Sequence, residues 1–323
     1  MKRWRLVATV TAIMILLAGL GLAFAPILYA EMGFMGLRPE WPLPLISDAR
    51  VAGQSAGTVV DDYWRVQQIA PDTYAIGEPQ NEPDNYEYLL LGKTRALLID
   101  SGATARDIHP VLSTLTQLPV TVIPTHLHYD HTNGLTYFKS IALIDLPETR
   151  SRVKEGMLHL GRYQFLDASD PNRAPVFQVT EWVAPDSYID LGGRRVQVLW
   201  TPGHTATSVS IYDPPAKLLF TGDLIYTTTL YAFMPDSSLS TYEATSDLLL
   251  ATLPADTIVY GAHCCRNDAP PEAPWLGMND LGDVRRAVHN IRTGQAKGQG
   301  LIIRRFPVNT RMTIVTFYPW GNR

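Results

Sequence analysis

The chain has 323 residues, of which 46% are hydrophobic and 18% are charged, and its formal net charge is −4 at pH 7. This is the composition of an ordinary globular protein, long enough to bury one large core or two smaller ones. Basic residues cluster only at the extreme N-terminus. This argues against nucleic acid as a partner, because a phosphate backbone is bound by clustered lysine and arginine side chains.

The N-terminus has the pattern of a membrane-targeting segment. Lys2, Arg3 and Arg5 precede an uncharged, mostly apolar run over residues 6–30, which is long enough to cross a bilayer as a helix. Two sites resemble a signal-peptide cleavage pattern of small residues, and both are poor. Pro26 directly follows Ala23-Phe24-Ala25, and the large Leu28 begins Leu28-Tyr29-Ala30. We therefore expect an uncleaved membrane anchor, with a cleaved signal peptide as the alternative. Either one places the rest of the chain in a periplasmic or extracellular position, because the basic residues stay inside.

The first half of the chain is predicted to form mostly strands. Residues 36–60 contain several prolines and glycines and are predicted to be a linker. A turn at Pro71 separates two strands within residues 64–76, and Gly92 lies at the turn of a hairpin. The further elements expected here are strands over residues 86–91, 96–99, 120–123 and 141–144, helices over residues 105–115 and 147–160, and an irregular segment over residues 161–185.

The second half alternates strands with helices. Ser240 and Glu243 have the spacing of a capping box, which predicts a helix that begins there and continues through Leu253. The other expected elements are strands over residues 196–200, 208–212, 217–220, 257–260, 301–306 and 312–317, and a helix near residues 280–292. Since the strands alternate with helices and also pair in hairpins, we expect mixed sheets with helices outside them.

Potential metal ligands follow several of these strands. The stretch Thr-His-Leu-His-Tyr-Asp-His, residues 125–131, comes directly after the strand at 120–123 and holds three of the eight histidines of the chain. Neutral imidazole and carboxylate groups suit zinc, and also iron or manganese. His204, Asp223 and His263 each follow a further apolar strand after a glycine or a Gly-Ala pair. Each alone is more typical of a structural histidine or a turn aspartate, but together they repeat one pattern.

The adjacent cysteines Cys264 and Cys265 follow the last of these residues. They are the only two in the chain, so no disulfide framework is expected. A disulfide between neighbours is strained and unusual, which favours two small, partly buried residues. Their position beside His263 leaves a metal or redox role open.

The four motifs THLHYDH, TPGHT, TGD and GAH, in that order, resemble the signature of the metallo-β-lactamase superfamily over about residues 64–265. The resemblance implies an α/β (α+β) fold, a four-layer αβ/βα sandwich of two mixed β-sheets with helices on the outer faces and a dinuclear site between the sheets. It further implies a first metal on His126, His128 and His204, a second on Asp130, His131 and His263, Asp223 as the bridge between them, and Asp100 supporting the ligands from behind.

The same resemblance implies a hydrolase that carries two zinc ions, with iron or manganese as alternatives. A hydroxide bridging the metals would attack a carbonyl ester, thioester or lactone of a small-molecule substrate. Asp130 would ligate a metal and also orient the hydroxide or relay its proton. Residues 224–250 look more like the glyoxalase II, lactonase and thioesterase members than the antibiotic-degrading ones. Candidate substrate contacts are Tyr129, Asn133, Tyr226, Tyr231 and Phe233, although each aromatic residue also suits core packing.

Other functions remain open at this stage. They are a β-lactamase, a mononuclear iron dioxygenase acting on persulfides, and a non-catalytic binding module that uses metal for structure. The expected division of the chain is an N-terminal anchor (1–35), a linker (36–60), a hydrolase domain (61–265) and a C-terminal extension (266–323) that completes or caps the domain.

Overall fold

The computed structural model describes residues 58–59, 63–78, 84–104, 106–160, 176–234, 236–264, 273–300 and 303–317. The predicted membrane anchor and nearly all of the predicted linker lie outside these residues. In the part of the chain that the structure describes, no helix is both long and apolar enough to cross a membrane.

Strands outnumber helices in the described residues. The helices are α1 (His109–Leu115), α2 (Tyr129–Thr132), α3 (Pro147–Ser151), α4 (Leu239–Thr252) and α5 (Met278–Arg292), with a 3-10 helix at Asn133–Tyr137. The strands of the first half are β1 (Thr58–Val59), β2 (Arg65–Ala70), β3 (Thr73–Glu78), β4 (Asp84–Leu91), β5 (Ala96–Ile99), β6 (Val120–Ile123), β7 (Ala142–Ile144), β8 (Val153–Lys154) and β9 (Met157–His159). Those of the second half are β10 (Val176–Gln178), β11 (Glu181–Val183), β12 (Ser187–Asp190), β13 (Arg195–Trp200), β14 (Val209–Asp213), β15 (Leu218–Phe220), β16 (Thr228–Tyr231), β17 (Ile258–Tyr260), β18 (His263–Cys264), β19 (Trp275–Gly277), β20 (Ile303–Pro307) and β21 (Met312–Phe317).

Two large mixed sheets form the body of the fold. The first has the order β1-β2-β3-β4-β5-β6, with β18 paired to β4. The second has the order β12-β13-β14-β15-β17-β19. Each is antiparallel except for one parallel pair, β5 with β6 and β15 with β17. Mixed sheets with helices were predicted, and the α+β class is confirmed.

Three hydrophobic cores hold these sheets together. One contains side chains of both sheets, such as Tyr88 and Leu97 from the first and Val198 and Phe220 from the second, and therefore lies between them. A second core covers the other side of the first sheet and includes α1. The third covers the other side of the second sheet and includes α4 and α5. The alternation of side chains along each strand explains how one sheet contributes to two cores.

Several local predictions were wrong. The helix expected over residues 147–160 ends at Ser151, because Glu155 and Gly156 both have positive φ and form the turn of a hairpin between β8 and β9. The segment predicted to be irregular contains β10 and β11. Helix α4 is capped by Ser238, whose side chain accepts a hydrogen bond from the Thr241 backbone, so the expected capping box at Ser240 lies inside the helix.

The described residues beyond Cys264 join the body in two places. Strand β19 completes the edge of the second sheet beside β17. Strands β20 and β21 form a third sheet with β16, which follows Asp223 in the chain. Because β21 pairs in parallel with β16, the C-terminal strands hold the segment that leaves the site.

Candidate metal centre

The predicted ligands meet where strands of both large sheets end. Asp100 follows β5, and the histidine-rich stretch follows its parallel neighbour β6. Asp223 follows β15, and His263 comes soon after the parallel neighbour β17. The carboxyl ends of parallel strands share one edge of a sheet, which is where α/β proteins place their sites. His204 joins them from the loop between β13 and β14.

Three histidines form the first ligand group, His126, His128 and His204, with one ring nitrogen of each within 4.8 Å of the others. The Nδ1 atom of His128 lies 2.9 Å from Nε2 of His126 and 3.1 Å from Nε2 of His204. Burial lowers the pKa of all three rings, that of His204 to about 4. Three neutral rings thus converge on one point, as a divalent metal requires.

Backbone and hydroxyl oxygens set the tautomers of this group. The Nδ1 atom of His204 donates to the carbonyl oxygen of Tyr231 at 3.0 Å, which leaves the Nε2 lone pair facing the group. The Nδ1 atom of His126 lies 3.2 Å from the hydroxyl oxygen of Thr125. That hydroxyl already donates to Asp100, so it accepts from His126, whose Nε2 then also carries a lone pair.

The second group is Asp130, His131, Asp223 and His263, again with one ligand atom of each within 4.8 Å of the others. The Nε2 atom of His263 lies 3.5 Å from Asp130 and 3.1 Å from Asp223. Burial alone would lower the pKa of His263, but Asp223 and then Asp130 raise it to about 10. Burial would raise the pKa of Asp130, but His131 and His263 lower it to about 2. This group is therefore a set of buried ion pairs, in which protons occupy ring nitrogens that a metal would use.

Asp223 faces both groups. Its Oδ2 lies 3.5 Å from Nε2 of His204 in the first group. Its Oδ1 lies 3.3 Å from Nε2 of His131 and 3.1 Å from Nε2 of His263 in the second. Both Oδ1 of Asp223 and Nε2 of His131 are buried, and although they form an ion pair, neither makes a hydrogen bond of good geometry to any described residue. Buried polar atoms that make no hydrogen bond are costly, and a cation between them would satisfy both.

Asp100 contacts both the second ligand group and the start of the ligand stretch. It has a left-handed backbone, with φ at 63°. Its carboxylate accepts from Nδ1 of His131 at 2.9 Å, from the Thr125 backbone at 2.6 Å and from the Thr125 hydroxyl at 2.9 Å. One buried carboxylate therefore fixes the tautomer of His131 and the start of the ligand stretch.

Comparison with known proteins identifies the family. The family model of the metallo-beta-lactamase superfamily matches residues 86–263, which is more than half of the chain. The chain belongs to the metallo-beta-lactamase superfamily. Its motifs and this match agree, so the resemblance stated from the sequence is confirmed.

The relatives found carry hydrolase names. The chain is 25% identical over 187 residues to the acyl-coenzyme A thioesterase MBLAC2 of Gallus gallus, covering 50% of this chain and 65% of that protein. It is 26% identical over 188 residues to a hydroxyacylglutathione hydrolase of Yersinia enterocolitica, covering 56% and 62%. The chain thus matches slightly less than two thirds of the length of these relatives. A metallo-beta-lactamase from Pontibacter korlensis has a similar fold, with a TM-score of 0.53 and 19% identity over 70% of this chain and 99% of that one.

The candidate substrate contacts lie in different surroundings. Tyr226 is buried, its ring lies 5.1 Å from that of His263 and its hydroxyl donates to the Thr229 carbonyl oxygen, so it contacts a ligand from behind. The side chain of Asn133 donates to the Ala103 carbonyl oxygen at 2.7 Å. The remaining three, Tyr129, Tyr231 and Phe233, are half-buried. Tyr231 also contributes the carbonyl oxygen that holds His204, a role that its side chain could not predict.

A cavity opens beside the first ligand group. His128 and Leu127 form one wall, and the loop after His204 forms another. The cavity is lined in addition by Glu148, Arg152, Thr205, Ala206, Thr207 and Asp236. Burial raises the pKa of Asp236, opposed in part by the charge of Arg152. None of these charged residues was singled out from the sequence, because they come from separate segments that only the fold brings together.

Two further supporting residues were missed in the sequence. Ser101 donates to the carbonyl oxygen of His131 from its backbone and its hydroxyl, both at 3.0 Å. Asn85 donates to the carbonyl oxygen of Asp130 at 2.8 Å. Both residues follow or belong to strands of the first sheet. Polar residues at Asn85 and Glu87 in a strand that is buried along almost its whole length were the available signal.

Cys264 is disulfide-bonded, which corrects the expectation of an unlinked pair. Cys265, the other cysteine of the chain, lies outside the described residues. The sulfur of Cys264 lies 3.8 Å from the Tyr86 hydroxyl. Since metal ligation uses the thiolate, a disulfide-bonded Cys264 does not compete with the histidines for a metal.

Proposed function

We propose that this protein is a dinuclear metal-dependent hydrolase of thioesters or related carbonyl esters and lactones. The observation that carries the proposal is the position of Asp223, one oxygen of which faces each ligand group. A carboxylate between two ligand sets is the arrangement that a pair of metal ions requires. A mononuclear iron site would use only one of the two ligand groups and would not account for the buried ion pairs of the other group.

The residues present fit two divalent ions. His126, His128 and His204 would hold the first, Asp130, His131 and His263 the second, and Asp223 both. Nitrogen and carboxylate donors favour zinc, with iron and manganese as alternatives. The metals, when bound, would supply Lewis-acid activation of water and of the substrate carbonyl group.

The chain's own residues would orient the reaction. Asp130 is the most exposed member of the second group, with 21% of its side chain accessible, whereas His131 is fully buried. One of its oxygens can therefore accept a proton from an attacking water while the backbone holds the residue in place. The low pKa of Asp130 keeps its carboxylate ionised, as a metal ligand must be.

The names of two relatives support a thioester substrate. An acyl-coenzyme A thioesterase and a hydroxyacylglutathione hydrolase both carry thioester-cleaving names, and each shares about a quarter of its aligned residues with this chain. The cavity beside His128 has both signs of charge and two threonine hydroxyls, which would suit a polar part of such a substrate. We propose this cavity as the place where substrate is selected, with Tyr129, Tyr231 and Phe233 as further contacts.

The placement of the chain in the cell is a separate proposal. The basic residues and apolar run of the N-terminus favour a membrane anchor over residues 1–35, a linker over 36–60 and a hydrolase domain facing out of the cytoplasm, with secretion after cleavage as the alternative. Residues 266–323 would then complete this domain.

Hydrolysis assays on the purified full chain test the proposed activity. Zinc-loaded protein is incubated with an acyl-coenzyme A, an S-acylglutathione, an aryl ester, a lactone and a chromogenic cephalosporin, with Asp130→Asn protein as the control. The expected result is metal-dependent turnover that is highest on a thioester and that Asp130→Asn greatly reduces. Turnover of the cephalosporin alone would replace the proposal with a β-lactamase, and the absence of turnover on every carbonyl substrate would contradict a hydrolase.

A further inference from the structure

Polar side chains lie inside the first sheet, directly behind the second ligand group. Strand β4 is buried along almost its whole length, yet it contains Asn85 and Glu87, which are 1% and 0% exposed. Burying an amide and a carboxyl group in a sheet costs free energy unless each makes hydrogen bonds. Their contacts therefore indicate what these two residues contribute.

Asn85 connects two members of the second group. Its Nδ2 donates to the carbonyl oxygen of Asp130 at 2.8 Å. In the antiparallel pairing of β18 with β4, Asn85 lies opposite His263, and the Tyr86 backbone donates to the Ala262 carbonyl oxygen at 2.8 Å. A single residue of β4 is thus next to the backbone of one ligand and bonded to the backbone of another.

Glu87 determines which way the Asn85 amide points. The same Nδ2 donates to Oε1 of Glu87 at 3.1 Å. Because Nδ2 has two hydrogens and both neighbours accept, the amide nitrogen must face Glu87 and Asp130, and the amide oxygen must face away. That oxygen makes no hydrogen bond to any described residue, so the acceptors around the amide nitrogen hold the orientation, and the Glu78 carboxyl group is a further hydrogen-bond neighbour of Asn85.

The backbone leaves room for this arrangement. Gly102 has a φ of 97°, and a Cβ atom there would lie 3.3 Å from Oε1 of Glu87 and 2.6 Å from Oε1 of Glu78. A glycine is thus required just after Asp100, where the chain leaves β5. Burial, and then the neighbouring Glu78, raise the pKa of Glu87 well above its usual range, and a neutral carboxyl group still accepts through its carbonyl oxygen.

We propose that Asn85 is a positioning residue for Asp130 and the second metal, and that Glu87 acts through Asn85 by fixing its amide. Asn85 anchors the backbone of Asp130, so the carboxylate of that residue reaches the metal and the attacking water from one position. This inference rests on the proposed metal centre, but not on the identity of the substrate.

Measurements of stepwise metal binding to the full chain test the proposed roles of Asn85 and Glu87. Affinities for the first and second zinc equivalents are measured by competition with a chelator, and the absorption spectrum of the cobalt-substituted protein reports on ligand geometry. Asn85→Leu, which has nearly the same shape, is expected to weaken the second equivalent by about 10- to 100-fold and to leave the first unchanged, as is usual for residues that orient ligands. In kinetics with any turned-over substrate, kcat should fall and KM should stay within a factor of about two, because the substrate pocket is untouched.

A pair of variants at Glu87 separates positioning from packing. Glu87→Gln keeps an oxygen that accepts from Asn85, whereas Glu87→Leu removes it. We expect Glu87→Leu to weaken the second metal and Glu87→Gln to restore its affinity to within about threefold of the unchanged protein. Asn309→Leu, which removes a side-chain amide bonded to Asp280 and Asp283 far along the chain, controls for the general effect of losing an asparagine.

Two results would overturn the inference. One is a folded Asn85→Leu protein that binds the second zinc as tightly as the unchanged chain. The other is an equal loss of affinity for the second zinc in Glu87→Gln and Glu87→Leu, which would show that the oxygen accepting from Asn85 is irrelevant. This second result does not depend on a folded Asn85 variant. Failure of the proposed function has a different signature, because it would leave metal binding intact and remove only turnover of carbonyl substrates.

Discussion

The two ligand groups are both placed to bind a cation, but the pKa values of their histidines are shifted in opposite directions. In the first, burial lowers the pKa of three histidines, so their rings are neutral at pH 7 before any metal arrives. In the second, burial is outweighed by carboxylates that raise the pKa of His131 and His263. The first group is thus ready for a cation, whereas the second is stabilised by protons that a cation must replace.

The supports of the two groups differ accordingly. The rings of the first are oriented by two oxygens, the carbonyl of Tyr231 and the hydroxyl of Thr125. The second is held by Asp100 on a ring and by Ser101 and Asn85 on the backbone. The second group already consists of ion pairs, and these hydrogen bonds hold the backbone from which its paired side chains extend. This difference shows why the additional buried polar residues lie on one side of the site.

Removing Asp223 is expected to have the largest effect, because it belongs to both groups. Asp223→Ala should lose both metal equivalents and lower kcat/KM on the order of 10⁴-fold, since Lewis-acid activation supplies several kcal/mol and each 1.36 kcal/mol is tenfold. Metal content and turnover check this. Asp256→Ala, which removes an exposed carboxylate paired with Lys217, is the control. Retention of one full equivalent in Asp223→Ala would mean that the groups are independent.

Asp130→Asn is the next largest change and affects the second group alone. We expect turnover to fall about 10²-fold or more, since the amide cannot accept the proton, while the fold and the first metal remain. Kinetics and circular dichroism measure the two effects. Unchanged turnover would contradict the assigned role of Asp130.

In the metal-free protein, the second ligand group should contribute to how the free energy of unfolding depends on pH. The folded-state pKa of His263, about 10, lies above its unfolded value near 6.5, so its contribution to stability is fully present below pH 6.5 and is lost as pH rises toward 10. Asp130, with a folded pKa of about 2, contributes above pH 3.8 and loses that contribution as pH falls toward 2. The combined contribution of His263 and Asp130 to the free energy of unfolding of chelator-treated protein should therefore fall on both sides of about pH 4–6.5. A free energy of unfolding that increases from pH 7 to 10 would contradict this sign.

Proton release during metal loading separates the two groups directly. At pH 7 the second equivalent should displace protons from His131 and His263, and the first should displace none, because the pKa of His204 is already about 4. Calorimetric titration in two buffers of different ionisation enthalpy gives the number of protons released per metal ion bound. Release of the same number of protons by both metal equivalents would contradict the proposed difference in protonation between the two ligand groups.

The smallest effect is expected at Tyr226, which contacts His263 from behind. Tyr226→Phe keeps the ring beside His263 and loses the hydrogen bond to the Thr229 carbonyl oxygen. We expect a loss of about 1 kcal/mol in the free energy of unfolding and little change in turnover. Denaturant titration and kinetics are the measurements. A large loss of turnover with an unchanged free energy of unfolding would give Tyr226 a role in substrate binding.

Strand periodicity and motif order predicted much of this molecule. The strand at Val120–Ile123, the strands of the β4–β5 and β14–β15 pairs, and the helix ending at Arg292 are where their apolar patterns place them. The seven predicted ligands converge in two groups because each follows a buried strand. Local turn chemistry was harder to predict, since the Glu155-Gly156 turn interrupts a segment with helical periodicity. Long-range supports such as Asn85 could not be predicted, because their partners are 45 residues away.

The most direct test of the dinuclear centre is the metal content of the purified full chain by elemental analysis. We expect two zinc ions per chain in the unchanged protein and none in Asp223→Ala. One iron per chain, with oxygen consumption in the presence of persulfides, would contradict this expectation and favour the dioxygenase alternative.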